Sequence, residues 1–182
     1  MPLYFAYGSN LLSHRLIARC PSARAMGPGR LRQRRLTFSK YSFIDGSGKA
    51  TLQPGSEDAH GVLYRLTTAD LAVLDRIEGV GKGYDRLTVE IESDRQTLAA
   101  ETYLATAPVD GQAPFDWYLA LILAGMLEHG LPATALQHLL RTNPVADPDP
   151  ERPGNLAARE ALAAGGWPDL QGILRQHGIN AC

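Results

Sequence analysis

Apolar residues recur along the chain in two rhythms, alternation and helical spacing, and the changes between them outline the fold. Leu3 to Tyr7 form an unbroken apolar and aromatic run that predicts a buried strand, and it breaks abruptly into Gly8, Ser9 and Asn10. Residues 11–20 then follow helical spacing, with Leu12, Leu16 and Ile17 on one side and Asn10 or Ser9 as the N-cap. Across 29–39, Leu36 and Phe38 alternate with polar residues and predict one strand with a charged outer face. Asp45-Gly46 and Ser47-Gly48 mark a turn, followed by short strands over 50–54 and 60–66.

Thr67 followed three residues later by Asp70 has the form of a capping box. It precedes a helix carrying Leu71, Leu74 and Ile77 that stops at Gly79. Two alternating segments, 84–91 and 96–105, predict antiparallel strands joined by a polar turn from Ser93 to Arg95. Pro114 opens a long helix, Pro132 starts another, and a segment with four prolines over 143–155 reads as an extended linker before two short helices, 156–164 and 168–177. Strands come mainly first and helices later, which predicts an antiparallel or mixed sheet, or a small barrel, with helices packed outside it.

A chain of 182 residues with 45% hydrophobic content supports one core, so a single domain over 1–182 is expected, with 141–182 as a Pro-rich segment and helical tail. Its 18 basic and 19 acidic side chains are spread along it and give no field that would draw nucleic acid or anionic lipid; a small-molecule partner fits better. The apolar stretch 117–127 falls short of the ~20 residues that span a bilayer and predicts a buried helix. No basic stretch precedes the first apolar run, so no secretory signal is expected. Cys20 and Cys182 have no motif spacing, which predicts neither a disulfide framework nor a cysteine metal site and favours a cytoplasmic setting.

The Gly8-Ser9-Asn10 break admits three readings: a turn and helix cap, a serine nucleophile, or an anion cradle built from backbone N–H groups. The nucleophile is disfavoured, because the elbow pattern Gly-x-Ser-x-Gly is missing. Glycines and Lys82 between Glu78 and Asp85 lack P-loop spacing and predict a helix stop and mobile loop. His14, His60, His129, His138 and His177 show no ligand spacing, and no metal is expected. Arg30, Arg32, Arg34 and Arg35 read as a solvated strand face. Glu78 is distinctive: in the last turn of its helix the negative end of the dipole raises its pKa, which suits a general base, although a glutamate before a glycine is commonly just exposed.

Three features taken together, YFAYGSNLL, LDRIEGV followed by Tyr84, and TYLA before a helix ending in HGLP, resemble the gamma-glutamylcyclotransferase family over roughly residues 3–140. The resemblance implies an α+β, AIG2-like fold: a small, mixed, mostly antiparallel β-barrel-like sheet flanked by α-helices. It implies conversion of gamma-glutamyl compounds to 5-oxoproline and a free amine, with no cofactor and with a homodimer as one arrangement. By position, Glu78 becomes the catalytic acid/base, Tyr7, Gly8, Ser9, Asn10 and Leu11 the glutamyl cradle, and Tyr84 and Tyr103 further substrate-binding residues. The substrate's own α-amine is the nucleophile in this chemistry, so no catalytic serine or cysteine is required. A non-catalytic small-molecule binding module of the same fold is the alternative.

Overall fold

The computed structural model describes residues 1–94 and 96–176. Arg95 of the predicted turn, His177 and Cys182 lie outside the described residues. Strands β1 (Leu3–Ala6), β2 (Arg24–Leu31), β5 (Ala59–Arg65), β6 (Tyr84–Ser93) and β7 (Gln96–Ala105) form a closed barrel in the order β1-β5-β2-β6-β7. Every pairing is antiparallel except the closing one, where β1 runs parallel to β7 with Tyr4 opposite Glu101. Strands β3 (Arg34–Tyr41) and β4 (Gly48–Pro54) make a separate two-stranded sheet. The fold is therefore the mixed, mostly antiparallel barrel with helices that the sequence led us to expect.

The single strand expected over 29–39 is two strands in different sheets. Arg32 and Gln33 separate them, and Gln33 adopts φ 54, the left-handed turn conformation that reverses the chain. The charged side of this region is paired rather than merely solvated: Arg30 contacts Asp58 at 3.2 Å and Glu92 at 2.7 Å, and Arg32 bonds Glu92 as well.

Helix α3 (Asp116–Glu128) is buried on all sides through Met126 and runs through the centre of the helical layer. It has no polar stripe because α4 (Ala133–Leu140), α5 (Pro153–Ala164), α6 (Leu170–Gln176) and the turn over Ser9–Leu11 cover it. No helix of the described residues is long and apolar enough to cross a membrane. The proline-rich linker is pinned to the start of α3: Val145 and Phe115 form a β-bridge, and Asp147 accepts from the Trp117 indole at 2.9 Å and from Arg152.

Two contacts place the Gly8–Asn10 break. At Gly125 a Cβ would stand 2.5 Å from both Leu11 Cβ and Leu12 N, so only glycine lets α3 lie directly on that turn. Behind it, Leu11 O accepts from Tyr64 Oη at 2.8 Å, and Ser13 N donates to Glu128 Oε2 at 2.9 Å. The break is thus wedged between barrel and helix.

Candidate active site

Three elements meet at one mouth of the barrel. The end of β1 supplies Tyr4 and Tyr7, the Gly8–Asn10 turn follows it directly, and α2 (Thr68–Glu78) presents Glu78 in its last turn. With Ala50, Tyr84, Tyr103 and Tyr118 they line a cavity of about 40 Å³.

Helix α2 is fixed at both ends. Thr67 caps it by accepting from Asp70 N at 3.2 Å, as expected. The reciprocal half of the capping box is replaced: Asp70 turns to Ser22, accepting from its backbone N–H at 2.8 Å and its hydroxyl at 2.6 Å, while Ser22 Oγ accepts from Thr67 N at 3.0 Å. At the other end Gly79 takes φ 65, a left-handed cap that a side chain would strain, and the helix stops one residue after Glu78. The following loop is closed by hydrogen bonds: Gly83 N donates to Gly79 O at 2.8 Å, Gly81 N to Tyr84 O at 2.9 Å and Thr106 N to Gly83 O at 3.3 Å.

The Glu78 side chain is 18% exposed. Asn10 Nδ2 donates to Glu78 Oε1 at 3.3 Å and to Tyr4 Oη at 3.1 Å, and its Oδ1 accepts from Arg19 at 3.0 Å. Arg19 also stands 3.8 Å from Glu78 Oε1. Burial pushes the Glu78 carboxyl above its ordinary pKa, outweighing Arg19, Asn10, Lys40 and Arg15, which all favour the charged form. A carboxyl whose pKa is raised in a cavity, with a nearby amide and guanidinium, is suited to take and return a proton.

The tyrosine hydroxyls are engaged with the protein. Tyr7 donates to Tyr103 O, Tyr84 donates to Ala50 O at 2.9 Å, and Tyr118 Oη accepts from Ala50 N at 3.1 Å. Ala50, on β4, thereby ties the small sheet to the cavity wall. Tyr103 directs its hydroxyl to Asp75 Oδ1 at 2.9 Å. Burial raises the pKa of each, that of Tyr118 to about 12, so all four stay protonated near neutrality.

The family model described as gamma-glutamyl cyclotransferase, AIG2-like, matches residues 4–118, more than half of the chain. The chain belongs to this family. Among curated relatives, gamma-glutamylcyclotransferase of Homo sapiens is 33% identical over 149 residues, covering 78% of this chain and 79% of that protein. That of Bos taurus is 35% identical over 138 residues, covering 71% and 72%. A solved structure named gamma-glutamyl cyclotransferase superposes with a TM-score of 0.73 at 31% identity, covering 79% of this chain and 88% of that one.

In this member of the gamma-glutamyl cyclotransferase family, the structure brings Glu78, Tyr7, Gly8, Ser9, Asn10, Tyr84 and Tyr103 to one cavity. Leu11 is not among its lining residues: it is fully buried, packs on Gly125, and contributes its carbonyl to Tyr64. The predicted cap is also corrected. Gly8 precedes a 3-10 turn over Ser9–Leu11, and Leu12 precedes α1 (Ser13–Arg19), neither with a side-chain cap bond. Asn10 is unavailable as a cap because its amide is committed to Tyr4, Glu78 and Arg19.

The helix faces are narrower than the spacing implied, since Ile17 is 41% and Ile77 44% exposed. Glu78 is not the solvent-exposed residue that its place before a glycine commonly implies, and its pKa is raised, with burial as the largest cause. Sequence reasoning missed Tyr4, Ala50 and Tyr118 in the lining and Arg19 beside the carboxylate. The four-residue spacing of Arg15 and Arg19 was the available signal, because it places two cations on one face of the helix that follows the break. Arg15 is 9% exposed, its Nε has no hydrogen-bond partner among the described residues, and burial lowers its pKa to about 10 while Glu78 opposes that shift. Among the described residues no cluster of His, Cys, Asp and Glu could hold a metal ion.

Proposed function

We infer that the chain catalyses the gamma-glutamylcyclotransferase reaction, releasing 5-oxoproline and a free amine from a small gamma-glutamyl compound, with Glu78 as the acid/base. The observation that carries this reading is the buried Glu78 carboxyl beside the Gly8–Asn10 turn, its pKa raised by burial in a cavity otherwise walled by fixed tyrosines.

The substrate's α-amine, with an ordinary pKa near ~8, needs a base before it can attack. The amine nitrogen adds to the γ-carbonyl carbon, and its proton passes to Glu78. That addition closes the ring; the protonated Glu78 then gives its proton to the scissile nitrogen as the C–N bond breaks, the oxyanion returns to a carbonyl, and 5-oxoproline and the free amine are released. Folding the glutamyl chain so that amine and carbonyl meet supplies several kcal/mol of orientation. The cradle is the Gly8–Asn10 backbone, whose N–H groups at the start of a helical turn have no acceptor within that turn and can receive the α-carboxylate or the oxyanion. Gly8 keeps this approach open: a Cβ there would stand 3.2 Å from Ala50 Cβ and 3.5 Å from Tyr118 Oη.

The cytoplasmic setting and a homodimer enter as parts of this proposal. The buried Cys20, whose thiol pKa burial raises to about 11, is compatible with a reducing compartment, and light scattering on the purified protein tests the dimer. The activity itself is tested by incubating the protein with a gamma-glutamyl amino acid, a gamma-glutamylamine and glutathione and measuring 5-oxoproline. Product from at least one is expected, and product from none leaves the alternative of a non-catalytic binding module.

A further inference from the structure

Lys40 and Lys49 are register partners in the β3–β4 sheet, yet their ammonium groups meet different surroundings. Lys49 Nζ lies 2.6 Å from Asp45 Oδ2 and 2.7 Å from Ser47 Oγ, and stands 4.8 and 4.7 Å from the ring centres of Trp117 and Tyr118. It is a structural ion pair, its charge met by Asp45 and its ammonium set against two aromatic faces.

Lys40 reaches instead to the rim of the Glu78 cavity. Its Nζ stands 5.6 Å from the ring centre of Tyr84, a lining residue. The side chain lies next to the end of α2: a Cβ at Gly83 would fall 3.0 Å from the Glu78 carbonyl oxygen and in ordinary contact with Lys40, 3.6 Å from its Cε and 3.7 Å from its Nζ. Among the described residues none accepts a hydrogen bond or ion pair from this ammonium, while Glu78 and Asp45 act on it from longer range. A partly buried cation held over an aromatic face without a counter-ion is a binding group waiting for an anion.

The geometry of the reaction says which anion arrives there. With the γ-carbonyl at Glu78, the leaving amine extends outward from the cavity. In a gamma-glutamyl amino acid the leaving group's carboxylate sits only two bonds from the scissile nitrogen, so it stays close to the rim. A gamma-glutamylamine carries nothing at that position. We propose that Lys40 is a specificity-determining residue that binds the carboxylate of the leaving amino acid, so that the chain favours gamma-glutamyl amino acids over gamma-glutamylamines of equal size. This rests on the reading of the Glu78 cavity as the reaction site.

The test pairs gamma-glutamylalanine with gamma-glutamylethylamide, whose leaving group is the same but for the carboxylate, in the wild-type chain and in Lys40→Met. The substitution keeps the length of the side chain and removes its charge. On the pH plateau above the acid limb, where Glu78 is ionised with or without the Lys40 charge, the expected result is a KM for gamma-glutamylalanine raised about tenfold or more, with both kinetic constants for gamma-glutamylethylamide held within about twofold. That unchanged turnover also serves as the control for folding. Equal losses on both substrates would mean that Lys40 acts only on the field at Glu78 or on the fold, and would overturn the proposal, as would no change on either. If the wild-type chain releases 5-oxoproline from neither substrate, the reading of the cavity fails and the proposal fails with it; turnover by the wild type with a non-selective effect of Lys40→Met defeats the proposal alone.

Discussion

The Glu78 cavity encloses about 40 Å³, whereas a cleft of about 420 Å³ opens beside β3 and α4, lined in part by Arg35, Leu36, Glu57, His60, Met126 and His138. The larger hollow has titratable groups too, but several are already satisfied. His138 donates from Nε2 to Leu36 O at 2.7 Å and sets Nδ1 3.5 Å from Glu57, and Asp58 is held by Arg30. In the smaller one a buried carboxyl stays above its ordinary pKa despite every cation around it. Space shows where a molecule can sit; a buried charge left incompletely compensated shows where a proton can be moved.

Glu78→Gln tests this contrast most strongly. Release of 5-oxoproline falls by roughly 10²–10⁴-fold, with an unchanged circular dichroism spectrum. The same substitution raises the melting temperature at pH 7. The folded chain retains the Glu78 proton to higher pH than the unfolded chain does, so this group's contribution favours folding below the ordinary carboxylate pKa and is lost as pH rises through the raised value. At neutral pH the ionised form opposes folding, and a neutral amide removes that opposition although it forgoes Arg19. A lower melting temperature would show that the carboxylate is better compensated than its burial implies.

Asn10→Ala comes next, with a loss in kcat/KM of about tenfold to a hundredfold, because Glu78 and Arg19 both lose a bond to one amide. Its pH profile carries the sharper information. Catalysis needs the ionised base, so the rate falls as pH drops through the Glu78 pKa; the Asn10 bond lowers that pKa, and its removal moves the acid limb to higher pH. Tyr84→Phe has a smaller effect, about 1 kcal/mol of stability in chemical denaturation and a few-fold rise in KM, since the Ala50 carbonyl loses its donor while the ring remains. The double substitution Gln137→Ala with Arg141→Ala in the large cleft leaves kcat/KM within about twofold, the changes lying on exposed positions remote from the buried carboxyl.

Much of this was legible in the sequence for local reasons. The capped helix ending at Gly79 places Glu78 in a last turn through Thr67 and a left-handed glycine, both read from neighbouring residues. The segments expected at 84–91 and 96–105 match β6 and β7, two strands paired in continuous antiparallel register from Tyr84–Ala105 to Ser93–Gln96. The strand expected over 29–39 failed because periodicity continues across Arg32 and Gln33 even though the two halves join different sheets. Leu11 failed as a lining residue because a motif fixes neighbours in sequence, and only the contact with Gly125 decides which of them turns away.

The sequence by itself determined the elements, the abrupt break after β1 and a glutamate one residue from a helix stop, since each depends on interactions a few residues long. The tertiary structure decided the chemistry. Barrel closure brings Asn10 and Glu78, 68 residues apart, within 3.3 Å. Burial of that carboxyl, the commitment of the tyrosine hydroxyls to backbone and side-chain partners, and the difference between Lys40 and Lys49 all follow from what distant segments place around each group. Desolvation and charge are summed over neighbours in space, and no local pattern of residues encodes that sum.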